Sequence, residues 1–435
     1  MKKLFRTIII LLLTGCALPK EETKVLSDDS AWCWFSDPRA IVLQNDGKHV
    51  VVAGGVSEDG SITAFSFDPR SEQVAHGMIH PRLEVDDHNN PAFLEMPDGH
   101  ILAFYTRHHN EELFMSKTLT SGDITEWEEP RKINPADPEQ EELYGKPRYT
   151  YANPFLLSEE NNRIYLFGRW TGFKPTMSWS DNGGQSWSKS KVVVCPQPFD
   201  PGNRPYVKYF SDGRARIHMT FTDGHPRVEP TNSVYYAYYE DGIFYRANGA
   251  KICTVDELPF QPSEATMVYD GTSGKGRAWV YDIKTNEDNF PVILYVRYPS
   301  EEKHIYHYAS FDGNEWMDAE ICNSGRWFPK TPEGRKEREP HYSGGLSVDW
   351  NDASVVYLSR MVDQTFEIER WKLNNESEWT SQAVTTGSEF DQVRPVVPWG
   401  LQPRKSCVLW MENERYIHYT DFSANIKIQF WHIND

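Results

Sequence analysis

Seven stretches of this chain repeat one pattern. Each has a polar lead-in, an apolar run, a turn, and a second apolar run with a polar exit. They begin at Ser36, Asn89, Ala152, Asn203, Pro262, His341 and Val393, as in "NNPAFLEMPDGHILAFYTRH" and "ANPFLLSEENNRIYLFGRW". Asp-Gly pairs recur in the turns, and they supply the positive φ angles that tight hairpins require. A hairpin cannot bury both of its faces alone, so a chain of such units must stack them. Seven units predict an all-β fold: a single seven-bladed β-propeller of the sialidase/BNR-like kind, over residues 31–435. "SDNGGQSW" at 180–187 supports this as a degenerate Asp-box turn, with Asn182 in the acid's place. A row of β-sandwiches is the competing fold, but it gives no reason for the polar ends to recur. The "WCWF" run at 32–35 reads as core that closes the ring.

The first 30 residues read differently. Lys2, Lys3 and Arg6 precede an apolar stretch too short to span a bilayer, and "LTGC" ends at Cys16. Residues 1–16 are expected to be a lipoprotein signal with Cys16 lipidated, and residues 17–30 a flexible tether. The expected location is lipid-anchored at the outer membrane, facing the periplasm or the cell surface, with no other membrane contact. The five remaining cysteines are scattered and show no zinc-ligand spacing, so they read as buried free thiols. No metal is assigned to the site and no cofactor is required; a structural metal ion is not derivable from the sequence.

Net charge is −18, which argues against nucleic acid as a partner. An anionic ligand would then need a local cluster of Arg and His. In a propeller the first strand of each blade lines the channel, so lead-ins and exits from different blades converge on one face. "VDDHNNPAF" at 85–93 is such a lead-in, with His88 three residues before Pro91; Tyr151 stands three before Pro154. The second strands end in Arg107-His108-His109, in Arg169, in His225 and in Arg360; other lead-ins offer Arg204, Tyr206, His341 and Arg394. Asn90 and Asn153, each before a Pro, read as backbone caps.

These residue types suit abstraction of a proton α to a carboxylate. Arg pairs with the carboxylate, and His or Tyr moves the protons. A glycoside hydrolase would want two facing carboxylates, and the adjacent Asp86 and Asp87 should diverge. Hydrolysis by a rhamnosidase or sialidase-like enzyme, and non-catalytic glycan binding, remain alternatives.

At "WCWFSDPRAI", "DDHNNPAFLEMPDGHILAFYTRH", "TYANPFLL" and "EPHYSGGLSVDW" the chain resembles the BNR-repeat-containing family of secreted bacterial proteins. Its relatives include propeller ulvan lyases, which cleave a sulfated rhamnose–uronate polysaccharide by β-elimination. The resemblance implies a carbon–oxygen lyase on an anionic carbohydrate, either a polysaccharide lyase or an oligosaccharide dehydratase. It places His88, His108, Tyr151 and Arg169 as catalytic residues. His109 is the alternative to His108. His109, Arg204, Tyr206, His225, His341 and Arg360 are the candidate substrate contacts.

Overall fold

The computed structural model describes residues 23–44, 49–300, 302–325 and 344–432. Its strands form seven sheets of four to six strands, arranged as a seven-bladed propeller. The inner hairpins of blades two and three are Ala92–Glu95 with Ile101–Thr106, and Asn153–Leu157 with Arg163–Arg169. Their registers pair Ala92 with Phe104 and Pro154 with Leu166. The turn between Glu95 and Ile101 shows why Asp-Gly recurs: Gly99 takes φ +80° and the Asp98 carboxylate accepts the His100 N–H at 3.0 Å. Asn182 plays the Asp-box role, accepting the Ser186 N–H at 2.9 Å. The α-helix found among the described residues is Pro138–Tyr144, and no helix there is long and apolar enough to cross a membrane. Cys16 and the signal segment lie outside the described residues.

Three expectations need correction. The fifth repeat does not fold as one hairpin. Thr266–Tyr269 pairs with Val234–Glu240 of blade four, and blade five begins at Arg277–Thr285, which pairs with Pro291–Ser300. The Asp-Gly at 270–271 caps a 3-10 turn, Gly271–Ser273, with Asp270 accepting the Thr272 N–H at 2.8 Å. The tether expected over 17–30 is not one throughout: Lys24–Ser27 is a strand that pairs with Asp421–His432 and completes blade seven. Ring closure therefore falls to this strand rather than to "WCWF".

Residues 32–37 instead cross the central channel. The Cys33 N–H donates to the Asp87 carbonyl at 3.0 Å and to Asn90 Oδ1 at 3.1 Å. Asp37 N–H donates to Asn153 Oδ1 at 2.9 Å, so both asparagines do cap backbone, that of the crossing segment. Trp34 packs on Trp279 and Tyr281, and Phe35 on Tyr151 and Tyr206. The Trp32 carbonyl accepts from Arg394. One short segment thus touches five blades and turns the channel into a blind cup. The five cysteines in the described residues are free, and all but Cys322 are buried.

Candidate functional site

The cup's floor is aromatic and its rim is cationic. Asp86 caps the 3-10 turn Asp87–Asn89 and aims its carboxylate at two imidazoles. His88 Nδ1 donates to Asp86 Oδ1 at 2.7 Å and His108 Nδ1 to Asp86 Oδ2 at 2.8 Å. The two rings stack at 4.0 Å, only 8° from parallel. With both Nδ1 atoms held by one carboxylate, both Nε2 atoms are left for other work. Asp87 does not diverge from it as expected for adjacent acids: its Oδ1 lies 3.1 Å from His88 Nδ1, while its Oδ2 binds Arg394 and the Tyr416 hydroxyl.

The two histidines do not titrate alike. Burial opposes the charge on His88, but the Asp86 carboxylate and the hydrogen bonds that His88 donates to Asp86 and Asp87 outweigh it and hold His88 well above the ordinary imidazole value. His108 is pushed down to about 4 by burial and by the neighbouring His88 charge, against the pull of Asp86. Near neutral pH the pair carries one positive charge, on His88.

His109 lies 4.0 Å from the His108 ring and faces the other way. Its Nε2 accepts from Arg169 Nη2 at 2.8 Å, and burial with the Arg169 charge pushes it down to about 2. Arg169 ends the second strand of blade three and is 4 % exposed. Its guanidinium lies over the rings of Tyr151 and Tyr206, at 5.0 and 4.8 Å. Its Nε and Nη1 are buried without a hydrogen-bond partner. Arg204 lies over Phe173 at 4.0 Å, and its pKa is lowered by burial and then by Arg169. Neither arginine has a carboxylate partner among the described residues. In a chain of net charge −18, two guanidiniums without acids among the described residues are able to pair with an anion.

Four residues here adopt left-handed backbone: Tyr151 at φ +65°, Phe173 at +56°, His109 at +55° and Arg394 at +53°. Such conformations cost of order 1–3 kcal/mol each in non-glycine residues and persist where the surroundings impose them. Tyr151 is held between His88, at 5.8 Å, and Arg169. His225 packs on Tyr206 and Trp279.

The structure therefore brings together His88, His108, His109, Tyr151, Arg169, Arg204, Tyr206 and His225. It does not bring Arg360 to them: both arms of its fork already hold Glu369, at 2.6 and 2.9 Å. His341 lies outside the described residues. Sequence reasoning missed the role of Asp86 as common acceptor, although its neighbour His88 was singled out. It also missed Tyr416 and Tyr419, which come from the last hairpin and carry no local signal.

Two groups have donor atoms close enough to share a metal ion: Asp86, His88 and His108, and Cys33, Asp87 and His88. In the first, the imidazole protons already satisfy the carboxylate, so an ion would have to displace both. The geometry as it stands is that of an acid–base pair rather than of a metal cage.

A family model described as "BNR repeat-containing family member" matches residues 32–324. No curated protein matches in sequence. Among solved structures, the chain is similar to a polysaccharide lyase, the PL25 ulvan lyase bound to -[GlcA(1-4)Rha3S]-. That similarity has TM-score 0.69 and 13% identity, over 93% of this chain and 95% of that one. The polysaccharide lyase Uly1 is similar with TM-score 0.59 and 12% identity, over 95% and 98%. At such identity the likeness establishes the fold alone.

Proposed function

The chain belongs to the BNR repeat-containing family, and from that premise we propose that it is a carbon–oxygen lyase acting on a uronic acid residue of an ulvan-like carbohydrate. The observation that carries this reading is Arg169: a buried guanidinium with two unpartnered N–H groups, set beside the Asp86-linked histidines and Tyr151. A carboxylate held by Arg169 has its charge neutralised, which makes the proton on C5 more acidic. Tyr151, under the guanidinium, stands where that C5 proton would lie. His88, charged, is the group to protonate the leaving oxygen. The C5–H bond breaks with its proton passing to the Tyr151 oxygen, which must act as a phenolate; the C–H electrons form the C4=C5 double bond, and the C4–O bond breaks with its pair on the oxygen that takes the His88 proton. That oxygen belongs to a sugar in a lyase and to water in a dehydratase. His108 keeps Asp86 and His88 in register.

Hydrolysis by facing carboxylates is less well supported, because Asp86 and Asp87 are both buried and engaged, on the histidines and on Arg394 and Tyr416. The localisation proposed is a lipid anchor through Cys16 at the outer membrane; Cys16→Ala should release the protein to the soluble fraction. Incubation with ulvan oligosaccharides, read by ultraviolet absorbance and mass spectrometry, tests the chemistry. Elimination gives a conjugated unsaturated uronate. Products without that chromophore would refute the proposal.

A further inference from the structure

Blade seven differs from the other six in its middle hairpin. Lys405–His418 and Asp421–His432 are 14 and 12 residues long, against at most 10 for any strand elsewhere among the described residues. The inner strand Asp391–Val396 pairs with this hairpin only as far as Asn413. At about 3.3 Å per residue, the overshoot from Asn413 to His418 is roughly 17 Å. Register shifts at Asn413/Arg415 and Tyr416/His418 bend the overshoot, as bulges do when they re-aim a strand.

The bent arm ends at the histidine pair. Tyr419 lies 4.8 Å from the His88 ring and 5.3 Å from His108, nearly perpendicular to both. Two parallel rings 4.0 Å apart can both be that close to a third ring only if it stands alongside the stack. The arm is pinned there twice: the Tyr419 carbonyl accepts the Asp87 N–H at 2.9 Å, and the Tyr416 hydroxyl donates to the Asp87 carboxylate. His418 packs on Tyr419 at 3.7 Å and donates or accepts at Thr420 Oγ1. Among the described residues the cationic rim thus runs from Arg204 through Arg169 to the histidines and stops at Tyr419.

We infer that Tyr419 is a specificity-determining wall that makes this a chain-end site. It rests on the reading of the cup as a uronate site. A uronate whose carboxylate is on Arg169 would carry its further sugars toward Arg204, whose guanidinium over Phe173 has no carboxylate partner among the described residues. On the histidine side the next residue would meet Tyr419, so the bound uronate is the last one of its chain. An open cleft, by contrast, would accept internal residues along a polymer.

Binding stoichiometry tests this without relying on turnover. Tyr151→Phe protein is titrated with size-fractionated ulvan chains, and the number of proteins bound per chain is read by light scattering. One protein per chain at every length is expected. Tyr419→Ala in the same background should bind in proportion to chain length, while Tyr419→Phe, which keeps the wall, should stay at one. Loading that rises with length while Tyr419 is present would overturn the inference, and so would Tyr419→Ala remaining at one. A second readout uses the unaltered protein: at fixed total uronate, a chain-end enzyme slows in proportion to chain length. Chain-end binding without any unsaturated product would sink the elimination chemistry alone. No binding to any uronate chain would sink both.

Discussion

The channel holds two clusters of buried charge, and they are balanced differently. Deeper in the channel, Asp37 accepts from Arg39 at 2.9 Å and from Lys208, whose ammonium also reaches the Trp34 carbonyl. Asp282 accepts from Ser347 and Val348, and Lys284 donates to the Asp349 carbonyl at 2.9 Å while lying over Trp350. Each cation there has an oxygen of the protein itself. At the rim, Asp86 and Asp87 are matched by His88 and Arg394, and Arg169 and Arg204 are left over. A buried charge that is matched by its own chain is architecture. One that is left unmatched destabilises the folded protein unless something else completes it. The difference separates the part of the channel that holds the ring together from the part that waits for a ligand.

The sharpest break between the two should come from the proton-transfer groups. His88→Ala and Tyr151→Phe should each lower turnover by about 10²–10⁴-fold, with the thermal midpoint little changed for Tyr151→Phe and lowered for His88→Ala, which takes the matching charge from Asp86. The next largest contrast sets Lys208→Met against Arg169→Met. Lys208→Met leaves Asp37 with Arg39 alone and the Trp34 carbonyl without its donor, and should cost about 1–3 kcal/mol in urea unfolding. Arg169→Met removes an unmatched charge and should leave stability equal or higher while activity is lost. Arg169→Lys should recover part of that activity, since the charge remains and the fork does not.

Acidity sharpens the comparison further. His108 and His109 are neutral when folded, down to about 4 and about 2, whereas unfolded imidazoles titrate near ~6.5. Protons are then taken up only on unfolding, so this contribution to stability is lost as pH falls below ~6.5. His88 acts in the opposite sense. Its raised value gives stability that is fully present below ~6.5 and lost as pH rises through its folded value. Turnover should need both states at once. It should fall on the acid side as His108 charges at about 4 and on the alkaline side as His88 loses its proton. Removal of the His88 charge should raise His108, which NMR titration of His88→Ala would show. The smallest effect belongs to Arg204, which is half-buried and lies by Phe173 and His109 rather than on the His88–His108 pair. Arg204→Ala should raise KM on the order of tenfold with kcat nearly unchanged.

Much of the rim was legible because the repeats impose a common frame. Aligning the prolines at 91 and 154 put His88 and Tyr151 at equivalent places, and the strand exits supplied His108 and Arg169. What escaped was whatever depends on pairing between distant segments. The apolar run at 266–269 looks like any inner strand, and nothing local says that it pairs backward to blade four. Arg360 looked like another exit cation because its partner Glu369 lies on the following strand. Tyr419 reaches His88 only once the ring has closed.

That closure has a mechanical side. The clasp is short: Lys24, Val25 and Ser27 face Ile428, Lys427 and Ile426 at the outer edge of the last blade. During synthesis the first strand must therefore wait for the last hairpin before it has a partner. In the finished protein, any pull on the chain ahead of Lys24 peels that strand from the rim. The segment at 32–37 follows almost at once, so tension at the clasp passes along a few residues of backbone to the amide that Cys33 donates to Asp87. The handle of the ring and the floor of its cup are one continuous thread.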